Sequence, residues 1–88
     1  MPASSEVAVV LPEGVALHAR PAGLFVRRAM TFTARITVVK GEREADAKSI
    51  LGVLGLGALG GTSLILRAEG NDADEALAAL AELVPTLA

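Results

Sequence analysis

The chain holds a single histidine, His18, in the run Leu17-His18-Ala19-Arg20-Pro21-Ala22. An imidazole that stays neutral near pH 7 keeps a nitrogen lone pair able to attack an electrophilic phosphorus. A guanidinium two residues further on offers a planar fork to phosphate oxygens. Pro21, followed by Ala22, Gly23, Leu24, Phe25, Val26, Arg27, Arg28 and Ala29, reads as the first turn of a helix, because the amide that proline lacks would find no intrahelical partner there. His18 then falls at or just before a helix N-terminus. Free N–H groups and the helix dipole favour an anion at that place, and the same field disfavours imidazolium. These residues point to a histidine that carries a phosphoryl group. Arg20 would be its charge partner, and the backbone at Ala19 and Arg20 its cradle. Position alone favours a surface or capping histidine, the commoner role of a single histidine in a small chain; the clustering of helix start, Arg20 and Pro21 brings the two readings level.

Such a segment needs a scaffold, and the chain alternates strand and helix signals. Glu6 to Leu11 is rich in β-branched residues and is stopped by Pro12-Glu13-Gly14, which predicts a strand and a loop. A helix from about Ala19 to Met30 buries Ala22, Phe25, Val26 and Ala29 at i, i+3, i+4, i+7 spacing. Leu24 lies off that stripe beside Arg27 and Arg28, either as a tolerated exposed leucine or as part of a docking surface. Thr33 to Lys40 alternates, with Ala34, Ile36 and Val38 on one face. Gly41-Glu42 turns into a short charged strand, Arg43 to Ala47, suited to a sheet edge.

Ser49 is placed to cap a short helix from Ile50 to Leu54, ended by Gly55 or Gly57. Gly55-Leu-Gly-Ala-Leu-Gly60 matches G-x-G-x-x-G, but it follows a helical turn and leads into a strand, the reverse of a dinucleotide site. Ser63 to Glu69 is that strand. Asp72 with Glu75 has capping-box spacing, ahead of a helix with the stripe Ala76, Leu77, Leu80, Leu83 and Val84 that ends near Pro85. The order β-α-β-β-α-β-α, with one apolar sheet face, predicts an α+β fold: a four-stranded antiparallel sheet with three helices on one face. Alternation leaves the strand order open.

Leu17-His18-Ala19-Arg20-Pro21-Ala22 resembles the active-site segment of the HPr family, the histidine-containing phosphocarriers of the phosphoenolpyruvate-dependent sugar phosphotransferase system. Lys48-Ser49-Ile50-Leu51-Gly52-Val53-Leu54 resembles the family's second signature, around a regulatory serine, and the likeness spans nearly the whole chain. One departure is visible: Ala16 stands where the family usually has Gly before the leucine, with Gly14 two positions earlier. The resemblance implies an open-faced β-sandwich and a phosphocarrier that is not itself an enzyme. His18 would take a phosphoryl group from phosphorylated enzyme I, at Nδ1 in the family, and pass it to a IIA component of a sugar permease. It implies Ser49 as the site of an ATP-dependent HPr kinase/phosphorylase, although a serine at this place is in most proteins only a cap. It further implies Leu24, Arg27, Ile50, Leu51 and Leu54 as partner-interface positions. Of the last three and Val53, one or two should be exposed, since so short a helix cannot bury them all. The alternatives are an HPr paralogue acting as a regulatory protein, in a nitrogen-type branch or through phosphorylated Ser49, and an unrelated binding domain with a capping histidine.

Composition bounds these readings. Eighty-eight residues suit a single domain, 1–88, with a modest core. Absence of cysteine fits a cytoplasmic protein without thiolate metal sites, and no metal or other cofactor is expected. A net charge of −2 and two Phe as the only aromatics speak against nucleic-acid binding. The residues before Val7 lack a signal-peptide pattern, and the apolar run Ile50 to Leu59 is broken by glycines and too short for membrane insertion. A monomer is expected. All eight Lys and Arg residues lie between Arg20 and Arg67, consistent with a mildly basic face for phosphate or an acidic partner.

Overall fold

Alternation of apolar and polar side chains builds the sheet. In the computed structural model, which describes residues 4–14, 19–58 and 60–87, the strands are β1 (Ser4–Val10), β2 (Arg35–Lys40), β3 (Arg43–Asp46) and β4 (Ser63–Glu69). They form one four-stranded sheet in the order β1-β4-β2-β3, every neighbouring pair antiparallel. The helices are α1 (Ala19–Ala29), α2 (Ile50–Gly55) and α3 (Ala73–Leu83), and a 3-10 turn follows at Val84–Leu87. β1 and β2 are both antiparallel to β4, so they run parallel to each other with β4 between them. The connection through α1 therefore passes from one side of β4 to the other.

Three helices cover one face. Ile36 and Val38 from β2 and Leu64, Leu66 and Ala68 from β4 are buried with the α1 stripe of Ala22, Phe25, Val26 and Ala29, and with Ala73, Ala76, Leu77 and Leu80 of α3. The opposite face stays open. There the register aligns Glu6, Arg67, Thr37 and Asp46 across the four strands. Arg67 Nε donates to Glu6 Oε2 at 2.8 Å, with Nη1 3.7 Å from Glu44 Oε2. Glu6's hydrogen bond and charge hold this guanidinium still more firmly protonated. As expected of a charged edge strand, β3 pairs only with β2 among the described residues.

Expectations about one cap and two strand limits are corrected. The D-x-x-E pattern does not form a capping box: Asp72 sits at the N-cap of α3, but its side chain makes no bond to that helix. Its carboxylate instead accepts from the amides of Thr33, at 2.9 Å, and Ala34, at 2.8 Å. Tertiary donors outcompete the local ones because Gly70, with φ +136, brings the β4–α3 turn against Ala34; a Cβ there would lie 3.1 Å from Ala34 Cα. Those amides are thereby satisfied before β2 begins, which is why the strand starts at Arg35 and not at Thr33. The last helix stops near Pro85, as expected. It ends at Leu83 and tightens into the 3-10 turn through Pro85, which keeps Val84 and Leu87 buried. β1 is also shifted from the expected span and ends at Val10. Leu11 is buried beyond it, bonded to Thr62 and Gly61 through its amide and carbonyl.

The Thr33 amide bond is the main reason that the Asp72 carboxyl titrates below its ordinary range; partial burial opposes this and the Ala34 amide adds to it. A depressed folded-state pKa stabilises the fold above the unfolded carboxylate's pKa of about 3.9, and that contribution is lost as pH falls through the folded value. Asp72→Asn should therefore melt lower than the native chain at neutral pH, and the gap should narrow as pH drops below about 4. Thermal melts across that range test this; parallel curves would contradict it.

Candidate functional site

α1 begins at Ala19, the residue after His18 in the sequence, so Pro21 is the third helical residue and its missing amide costs no helical bond. His18 lies outside the described residues, as do Ala16 and Leu17 and the side chain of Ala19. Arg20 is exposed in the first turn. With Gly23, Leu24 and Arg27 it lines a shallow open depression of about 280 Å³. These four stand at i, i+3, i+4 and i+7, the face of α1 away from its buried stripe. No acidic residue occupies the first turn to compete for the helix N-terminus. At the other end Arg27 and Arg28 complement the dipole, and Arg28 lies over the Phe32 ring, 5.4 Å from its centroid.

The second segment is built as a capped turn. Ser49 has extended backbone (φ −110, ψ 113), and its Oγ accepts from Gly52 N at 3.1 Å. Gly52 suits that approach, since a Cβ there would meet Ser49 Oγ at 3.3 Å. Gly57, at φ +64 just past the Leu56 C-cap, closes the helix. Val53 is buried and Leu54 half-buried against the core, while Ile50 is 38% and Leu51 79% exposed. α2 packs against α1, where Leu24 is 47% exposed. Three large apolar side chains thus face outward on two adjoining helices that also present Arg20 and Arg27. Leu54 shares α2 with them but turns more of its surface inward.

Replacing Ser49 by Ala should remove the cap at a cost of about 1 kcal/mol, whereas Asp, itself a strong N-cap, should nearly preserve it. Urea denaturation of the two variants checks this; an unchanged midpoint in Ser49→Ala would show that the hydroxyl bond carries no stability.

Three residues at or beside the site escaped the reading of the sequence. Gly23 lines the depression, and its signal was available in the i+3 spacing from Arg20. Lys48 Nζ donates to the Phe32 carbonyl at 2.6 Å, and Lys40 Nζ to the Leu56 carbonyl at 3.1 Å. Both tie the α2 segment to distant backbone, and neither has a local signature. Among the described residues, no group of three or more His, Cys, Asp or Glu could hold a metal ion, and no helix is long and apolar enough to cross a membrane.

Residues 3–86 match the family described as PTS HPr component phosphorylation site. The phosphocarrier protein HPr of Haemophilus influenzae is 39% identical over 84 residues, 96% of this chain and 96% of that protein. The HPr-like protein Crh of Halalkalibacterium halodurans is 44% identical over 75 residues, 85% of this chain and 87% of the other. The crystal structure of a phosphocarrier protein HPr from Bacillus anthracis aligns with a TM-score of 0.88 at 40% identity, covering 93% of this chain and 98% of that one. A helix that opens on an exposed arginine, a serine-capped second helix and a match across nearly the whole length lead to one conclusion: the chain belongs to the HPr family of the phosphotransferase system.

Proposed function

We propose that this chain carries a phosphoryl group on His18, accepting it from phosphorylated enzyme I and delivering it to a IIA component of a sugar permease. A ring nitrogen of His18 forms a bond to phosphorus as the phosphorus–nitrogen bond of the donor's phosphohistidine breaks; the reverse exchange, with the acceptor's histidine as nucleophile, unloads it. Such a transfer needs positioning and electrostatics more than covalent machinery. Arg20 pairs with the phosphoryl oxygens, and the backbone N–H groups that open α1 receive the remaining charge. The observation that carries the reading is the exposed guanidinium of Arg20 in the first turn of α1, two residues from the chain's single histidine. Leu24, Arg27, Ile50, Leu51 and Leu54 form the surface that donor and acceptor meet in turn. The protein works as a cytoplasmic monomer and is a substrate of the enzymes around it, not a catalyst.

The similarity to an HPr-like protein Crh favours a second reading, a regulatory role through Ser49. A phosphate there would sit at the start of α2 beside Ile50 and Leu51 and add negative charge to the docking surface. The presence of both His18 and Arg20 favours the carrier. Incubation with phosphoenolpyruvate and purified enzyme I separates the two. The carrier gains one acid-labile, alkali-stable phosphate and releases it to a IIA component, whereas a purely regulatory chain gains none. A kinase assay with ATP addresses Ser49 on its own: the acid-stable phosphate it yields should vanish in Ser49→Ala.

A further inference from the structure

α2 is too short and too glycine-rich to hold its shape unaided. Two of its six residues are glycine, and isolated helices of this length are marginal in water. Val53 is its one fully buried residue, while Ile50 and Leu51 point outward. Its last turn contains no basic residue to complement the negative end of the dipole. That charge arrives from the sheet. Lys40 is the last residue of β2, half-buried and in register with Arg43 of β3. Its Nζ donates to the carbonyls of Leu56, at 3.1 Å, and Gly57, at 3.4 Å. These carbonyls follow the helix end, where partners within the helix run out. The opposite end is held by Ser49 Oγ on Gly52 N. α2 is thus clamped at both ends, one clamp local and the other reaching 16 residues along the chain.

We propose that Lys40 is a positioning residue for partner docking: by closing the C-terminal end of α2 from the rim of the sheet, it holds Ile50 and Leu51 as the partner proteins meet them. This rests on the phosphocarrier reading and deepens it. Lys40 touches neither phosphoryl group nor partner; it acts through α2. Without it, the helix end frays and two exposed apolar side chains lose their fixed orientation, so each docking event must first re-order them. Chemistry at His18 is left as it was.

Lys40→Met keeps the aliphatic stem and removes the ammonium, and Lys40→Arg keeps a donor. Amide hydrogen exchange should quicken in Lys40→Met at Leu56 and Gly57, whose amides close the helix end onto Val53 and Leu54, while the β4 amides hold their protection. In steady-state transfer from phosphorylated enzyme I, the KM for the chain should rise roughly three- to tenfold, the scale of one lost hydrogen bond. The kcat should stay within about twofold, as expected when binding and not the chemical step is affected. Lys40→Arg should restore both the exchange pattern and KM. Unaltered exchange at Leu56 and Gly57, or an unaltered KM, overturns the proposal. So does a fall in kcat at constant KM, which would place the lysine in the chemistry. Should the native chain accept no phosphate from enzyme I, the carrier reading itself fails and the proposal with it, and the exchange data would still show whether Lys40 anchors α2.

Discussion

His18→Ala is expected to abolish the acid-labile phosphate outright, while Arg20→Ala keeps the phosphate and slows its appearance by about 100-fold, the typical cost of removing one preorganised donor from a transition state. The two losses differ because the roles differ. Without the imidazole the nucleophile is gone, and the chain's amines, hydroxyls and carboxylates are poor substitutes near neutral pH. Without Arg20 the nucleophile remains, and the helix N-terminus still offers amides to the phosphoryl oxygens. Arg20→Lys should fall between, since an ammonium restores charge but not the two-pronged fork. Arg20 is exposed, so the fold of both Arg20 variants should match that of the native chain by circular dichroism. A phosphate that stays acid-labile and alkali-stable in His18→Ala would remove His18 from the mechanism. An unchanged rate in Arg20→Ala would reduce that arginine to a solvated side chain.

Features governed by short-range periodicity were legible from the residues. The α1 stripe of Ala22, Phe25, Val26 and Ala29 is buried as its spacing required, and the alternation of Ser63 to Glu69 gave the span of β4. The Ser49 cap followed from a good N-cap residue set just before an apolar turn. What escaped depends on residues far apart in the chain. Strand order is one case: β4 lies between β1 and β2, pairing Val7 with Leu66 and Val38 with Leu66, and nothing local to those runs specifies their partner. Asp72 is another. Its spacing to Glu75 fits a capping box, yet its oxygens go to amides 38 and 39 positions away because the Gly70 turn delivers them there. Lys40 belongs with it, as a lysine at a hairpin that reads as solvated until α2 is folded beneath it.

At the candidate site the same division holds. Leu24 read as a stray exposed leucine or, with slight preference, as a docking residue; it is half-exposed beside Gly23 and Arg27, as either reading requires. Count alone said that one or two of Ile50, Leu51, Val53 and Leu54 must be exposed, since a turn of this size cannot bury four large side chains. Which of them face out depends on how α2 lies against α1 and the sheet, a tertiary fact.

Phe25→Ala should be the most damaging single truncation in the core, costing about 3–5 kcal/mol. Phe25 is 1% exposed and the largest of the fully buried side chains. It lies on the inner face of α1, and its removal takes away both its transfer free energy and the contacts of the cavity lining. Against a total stability of roughly 4–13 kcal/mol for a chain of this length, such a loss leaves little margin. The melting point should fall by roughly 15 °C or more, at 4–8 °C per kcal/mol for a chain of this size. Leu24→Ala, one residue away, makes the contrast. Leu24 is half-exposed, so its truncation should alter stability by no more than about 0.5 kcal/mol and instead weaken docking, raising KM in the transfer assay. Neighbouring residues on one helix would then separate cleanly, one felt in denaturation and the other in transfer. A loss below about 1 kcal/mol for Phe25→Ala would mean that the core collapses around the vacancy and that α1 is held in place mainly by its other contacts.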